Sequence, residues 1–408
     1  MLCNILIIGG GFAGFWAAVA ARRVAGSRAQ VALVSPRPLL EIRPRLYEAH
    51  PETLAVDFRP HLEKLEIDFV RGAAEALDPA AKAVTLAAGD QIAYDRLVVA
   101  TGSRMRRPPV PGAEAAFSVD TQAEAIAFDR RLKDIAQATE EPTIAVIGAG
   151  FTGLELALEL RDRLLAHGAH RAAVRLRIVL IDRAETIGPE LGPGPRPAIE
   201  RALAQDGIEL RLGAVVQALQ ADRVSFADGT VLAADAVVLA TGMVAAPFAA
   251  QIPGARDALG RTIVDASLRA PGAPDVFVAG DAAAADTGDG HWTLQSCQHA
   301  GQLGRVAGEN AARDLLGEPT VPYSQLRYLT CLDLGRAGAL VTQGWERRID
   351  KMGEEGKALK RMINTKVIYP PADGSIEALL ASSSIDLAAR TRQMDAPKAP
   401  EPVQGGAA

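Results

Sequence analysis

The chain has 408 residues, 49% of them hydrophobic and 23% charged, a balance that fills a sizeable core and fits two or three domains. A net charge of −5 leaves no general basic face, which argues against nucleic-acid binding. Cys3, Cys297 and Cys331 are the only cysteines and none lies in a CxxC pair, so a metal ribbon or local redox disulfide is not expected, and the low count fits a reducing, cytoplasmic setting.

No basic leader precedes the first apolar stretch. No uninterrupted apolar run reaches the roughly 18 residues of a membrane-spanning helix. The most apolar window, 236–250, is broken by Thr241-Gly242 and Pro247 and reads as buried strand and loop.

Taken in order, Ile5-Leu6-Ile7-Ile8 reads as a buried strand. Gly9-Gly10-Gly11-Phe12-Ala13-Gly14 follows, and Phe15 to Ala20 then reads as a helix. Strand, glycine turn and helix make a phosphate site. The glycines let the backbone come close, and the helix N-terminus offers unpaired N–H groups and a positive dipole end. A second strand, Val31 to Val34, ends at Ser35, where such units usually carry an acid for the ribose. A hydroxyl can still bond a ribose, with Arg37 to help. Glu41 to Glu48 is a charged, proline-marked loop that includes Arg43. Ala83–Leu86 and Gln91–Tyr94 flank Gly89-Asp90 as a hairpin, which leads through Asp95 to Leu97-Val98-Val99-Ala100-Thr101-Gly102.

The same plan returns about 140 positions later. Ile144-Ala145-Val146-Ile147 runs into Gly148-Ala149-Gly150-Phe151-Thr152-Gly153 and a helix from Leu154. Ile178 to Ile181 ends at Asp182, with Arg183 beside it. A hairpin around Asp228-Gly229 leads through Asp235 to Leu239-Ala240-Thr241-Gly242. One glycine fingerprint is weak evidence; two on the same plan are a duplicated module and imply two dinucleotides. Val276 to Ala279 then runs into Gly280-Asp281-Ala282-Ala283 without a fingerprint, so it completes the first module. A helix is predicted from Gln298 to Leu316, ended by Gly317 and Pro319. From Trp345 to Lys366, seven basic residues outnumber four acids. That stretch reads as a solvated helix face, with an anionic lipid surface or a partner as the sharper alternative. From about Met394 the chain is rich in Pro, Ala and Gly and reads as a disordered tail.

Two fingerprints, two ATG strands and a late AGD motif together resemble the glutathione-reductase-like flavoproteins over about residues 1–320. The expected fold is α/β, with two Rossmann-like dinucleotide-binding domains, the second inserted in the first, and a C-terminal α+β extension. The expected divisions are 1–118 and 246–320 for FAD, 119–245 for NAD(P)H, 321–393 for the extension and 394–408 for the tail. The resemblance implies FAD in the first module, with Gly9, Gly11, Phe12, Ala13, Gly14, Ser35, Arg37, Arg43, Ala100, Thr101, Gly102, Gly280, Asp281 and Ala300 around it. Asp281 would bond the flavin's ribityl chain. A nicotinamide nucleotide would lie against Gly148, Gly150, Thr152, Gly153, Asp182, Arg183, Thr241 and Gly242. A carboxylate at Asp182 accepts from a ribose 2′-OH and repels a 2′-phosphate, which favours NADH over NADPH.

Within that superfamily the chain looks most like type II NADH dehydrogenases, the single-chain NADH:quinone oxidoreductases. Gly148 to Glu155 is similar to their GGGxTGVE, whose Glu sits near the nicotinamide. Arg43 to Glu48 is similar to their Pro-Leu-Leu-Tyr flavin loop, with Arg45 in place of Leu. Cys297-Gln298-His299-Ala300-Gly301-Gln302-Leu303-Gly304 is similar to their AQxAxQxG, whose glutamines line the quinone site. Gln298 and Gln302 are four apart, hence on one helix face. The implied catalytic set is Glu155, Gln298 and Gln302, with a surface salt bridge as the plain alternative for Glu155. No metal or Ser-His-Asp constellation is required. The implied partner is a small-molecule acceptor, a quinone, with peripheral membrane contact through 321–393 and a homodimer as further expectations. Alternatives are a sulfide:quinone reductase using Cys297 and Cys331, a reductase of a small electron-carrier protein, and an NADH-sensing flavoprotein with little turnover.

Overall fold

Apolar runs flanked by glycine turns form two sheets with parallel centres in the computed structural model, which describes residues 2–372 and 374–386. The tail expected from Met394 lies outside the described residues. In the first sheet, Gln91–Val99, Leu2–Ile8, Val31–Ser35 and Asp68–Arg71 lie side by side in that order. Ile7 pairs with Val98 on one side and Leu33 on the other. In the second sheet, Ala236–Leu239, Thr143–Ile147, Arg177–Ile181 and Glu209–Arg211 repeat that order. Val146 pairs there with Val238 and Leu180. The central strands are buried on both faces, which is why they read as unbroken Val, Ile and Leu runs.

The late strand Ala273–Val278 joins Gln91–Val99 in parallel, Phe277 against Val98, and so belongs to the first sheet. Both hairpins form where their Asp and Gly turn residues place them. Ser103–Met105 and Met243–Ala245, one after each ATG strand, pair antiparallel and link the sheets. The long helix Cys297–Leu315 lies along the first glycine-turn helix, Phe12–Ala25. Their backbones touch. A Cβ on Gly304 would sit 2.2 Å from the Ala13 carbonyl oxygen, and one on Gly308 would sit 2.0 Å from that of Ala17. Gly304→Ala should therefore cost about 1–3 kcal/mol of stability, the scale of overpacking a tight contact, and be read as a lower urea midpoint. An unchanged midpoint would show that this contact is loose.

The C-terminal part differs from the simplest expectation. Leu329–Asp333, Ala339–Gln343 and Arg348–Lys351 form an antiparallel sheet. The helix Gly353–Met362 packs on it and runs into a π-helical turn, Ile363–Val367. Residues 345–366 are thus not one solvated helix face. Arg347 and Lys360 are buried, Lys357 pairs with Asp333, and Lys351 pairs with Glu355. Among the described residues, no helix is long and apolar enough to cross a membrane.

Candidate active site

The two glycine turns are built alike. Gly9 and Gly148 have φ of +113° and +112°, and a Cβ on either would lie 2.2 Å from a carbonyl oxygen, of Ala100 or Ala240. Only glycine takes that backbone at that separation. Gly14 and Gly153 stand one turn into their helices, where a Cβ would lie 1.7 and 1.8 Å from the oxygens of Gly9 and Gly148. Gly11 and Gly150 cap the helices in extended backbone without a side-chain cap, so the first N–H groups point outward. At the second turn the Phe151 N–H donates to Glu190 Oε1 at 3.2 Å.

One cavity of about 1700 Å³ joins both turns. From the first module Gly9, Gly11, Phe12, Ala13, Ser35, Arg37, Arg43, Ala100, Thr101, Gly102, Gly280, Asp281 and Ala300 line it. Gly150, Thr152, Glu155 and Gly242 line it from the second, and Gln298 and Gln302 from the long helix. Six expected contacts lie off that wall. Gly14, Gly148 and Gly153 serve the close strand–helix packing just described. Asp182 accepts from the Ala149 and Ala184 N–H groups at 2.7 and 2.8 Å, so its carboxylate braces its own turn. Thr241 donates to the Arg106 carbonyl at 2.6 Å. Arg183 is exposed. Arg37, expected to help Ser35, pairs instead with Glu41.

Polar groups converge on the cavity. Asp281 Oδ2 accepts from Ser103 Oγ at 2.6 Å and lies 4.0 Å from Arg43 Nη1. Burial raises its carboxyl, while Arg43 and Ser103 pull it back. Arg43 also pairs with Asp120. Thr101 Oγ1 and Gln302 Oε1 are buried at the wall with no hydrogen-bond partner, and buried polar atoms of that kind call for one. Gln298 Nε2 donates to the Arg327 carbonyl at 3.2 Å. An open helix N-terminus, an unpartnered hydroxyl and a turn whose close backbone contacts admit only glycine suit a dinucleotide.

Glu155 is no surface salt bridge. It is 4% exposed and its Oε1 accepts from Lys360 Nζ at 2.7 Å and from the Asp333 N–H at 2.9 Å. Burial pushes its carboxyl up to about 7, against the pull of Lys360. Lys360 Nζ also donates to the Cys331 carbonyl at 2.9 Å and lies over the Tyr47 ring at 5.6 Å. One helical turn on, burial and then Asp333 push Glu159 up to about 8. Cys297 and Cys331 both line the cavity, and burial pushes each thiol up to about 11. His299 is buried on Ser296 Oγ at 3.0 Å, and burial lowers it to about 4.

Lys360, Tyr47, Arg347 and Asn364 line the same wall and were not singled out as site residues from the sequence. Lys360 has no local signature: it sits in a basic stretch, 205 positions from its carboxylate.

Comparison with known proteins gives the family. The family model described as pyridine nucleotide-disulphide oxidoreductase matches residues 3–304. A NADH dehydrogenase-like protein of Mycobacterium tuberculosis is 40% identical over 393 residues, covering 94% of this chain and 98% of that one. A type II NADH:quinone oxidoreductase of the same organism is 29% identical over 312 residues, covering 68% and 66%. The sulfide:quinone oxidoreductase of Aquifex aeolicus shares the fold, with a TM-score of 0.76 at 21% identity and 92% of each chain covered. The chain belongs to the pyridine nucleotide-disulphide oxidoreductase family, flavoproteins that work with FAD and a nicotinamide nucleotide.

Proposed function

We propose that the chain is an NADH:quinone oxidoreductase, converting NADH, a proton and a quinone into NAD⁺ and a quinol. Bound FAD would supply the redox chemistry, taking hydride from the nucleotide and passing electrons to the acceptor. The chain supplies placement and the proton. The two glycine turns hold pyrophosphates on helix N-termini. Asp281 accepts from the ribityl hydroxyls. Glu155, its carboxyl raised to near neutral, holds the proton that quinol formation consumes. Lys360 fixes that carboxyl in place, and the amides of Gln298 and Gln302 face the acceptor. Leu294, Leu326 and Val367 are exposed at the cavity edge, an apolar lip suited to an apolar acceptor.

One observation carries this reading: a buried Glu155–Lys360 pair and two glutamines open into the cavity that both glycine turns share. Stopped-flow mixing with NADH and NADPH, then with a panel of quinones, tests it. The flavin colour should bleach faster with NADH and return on adding quinone. Protein that stays colourless with added FAD, or stays bleached with every quinone, would defeat the reading.

A sulfide:quinone reductase is the second reading, because Cys297 and Cys331 share the wall. Thiols held near 11 are poor nucleophiles at neutral pH. Cys297→Ser with Cys331→Ser should therefore leave NADH:quinone turnover within about twofold of wild type; collapse of turnover would favour thiol chemistry.

A further inference from the structure

Arg45 stands where the resembling family carries Leu, and each nitrogen of its guanidinium has a partner. Nε and Nη2 grip Glu48, with Nε 3.1 and 3.0 Å from the two carboxylate oxygens and Nη2 2.7 Å from Oε2. Nη1 donates to the Tyr369 hydroxyl at 2.9 Å. Such forked, charge-assisted pairs combine strength with fixed geometry. Glu48 Oε1 also accepts from Asn364 Nδ2 at 3.3 Å. Asn364 is buried in the π-turn Ile363–Val367.

That turn forms cavity wall. Ile363, Asn364 and Val367 line it, facing the same space as Pro44 and Tyr47 of the loop that carries Arg45. π-turns are rare and concentrate at functional sites. Lys360 lies four positions before Asn364, in the helix that runs into the turn, and both reach the cavity. Each is moored to a carboxylate from elsewhere, Lys360 to Glu155 and Asn364 to Glu48. Glu48 in turn is held by Arg45. Tyr369 lies two positions beyond the π-turn and 324 from Arg45, so this clamp joins the first module to the C-terminal extension.

We propose that Arg45, acting through Glu48 and Tyr369, is a positioning residue that sets the shape of the acceptor end of the cavity, and so the KM for the acceptor. This rests on the quinone-reductase reading above. Arg45, Glu48, Asn364 and Tyr369 belong to neither glycine turn.

Arg45→Leu should raise the KM for a soluble short-chain quinone about tenfold, the scale of one charge-assisted hydrogen bond. It should leave kcat and the rate of bleaching by NADH within about twofold. Backbone hydrogen exchange at 363–369 should speed up. Tyr369→Phe removes only the hydroxyl contact and should shift KM the same way by about two- to threefold. Arg45→Lys, which keeps the charge without the fork, should fall between wild type and Arg45→Leu. Unchanged quinone KM in both Arg45→Leu and Tyr369→Phe would overturn the proposal. So would slowing of NADH bleaching as large as the KM change, or unaltered exchange at 363–369. Failure of the wild type with every quinone would instead defeat the parent reading, and the exchange measurement would still judge the clamp.

Discussion

Glu155→Gln should slow reoxidation by quinone about a hundredfold, at the lower end of what a positioned acid contributes, while bleaching by NADH stays near wild type. The pH dependence gives the sharper test. In the wild type, burial keeps the Glu155 proton in place up to about pH 7. The reoxidation rate should therefore be high below neutral and fall as pH rises through about 7. The Gln variant should lack that fall. Lys360→Met removes the cation that lowers the Glu155 carboxyl, so the midpoint should move to higher pH. A wild-type profile that is flat from pH 5.5 to 8.5, or a Gln variant that keeps the fall, would exclude Glu155 as the proton holder.

Gly148→Ala should separate the two modules. Its Cβ would meet the Ala240 oxygen at 2.2 Å, in a backbone conformation that alanine avoids. The second turn must shift, so affinity for NADH should fall at least about a hundredfold on the energy scale of such strain. The first turn is untouched, and the protein should stay yellow. Gly9→Ala makes the same clash, with the Ala100 oxygen, and should yield protein that loses FAD. Flavin content of the purified variants and titration with NADH check both. Colour lost from Gly148→Ala and kept by Gly9→Ala would reverse the assignment of the modules.

The features legible in the sequence are those whose signal is local. The two fingerprints, the hairpins and the strand before Asp281 each need only a few neighbouring residues to be read, and each folds as read. Gln298 and Gln302 reach the cavity because four positions on a helix make one face. Lys360 could not be read this way. A lysine among other bases looks solvated until a distant Glu is buried against it. Arg45 departs from the flavin-loop pattern, and although Glu48 is local, its second partner, Tyr369, lies 324 positions on. Asp182 has the right type and place for a ribose contact, yet its carboxylate satisfies two N–H groups of its own module, a local claim that spacing does not reveal.

The contact of Gly304 and Gly308 with Ala13 and Ala17 limits how the molecule can breathe. Main chain rests on main chain there, with no side chain between to act as a cushion. The element bearing the two glutamines and the cradle of the first dinucleotide therefore travel as one rigid piece. Freedom to admit a second nucleotide has to come from the other sheet, which a ribbon of two short strands and the buried Glu155–Lys360 contact tie to the rest.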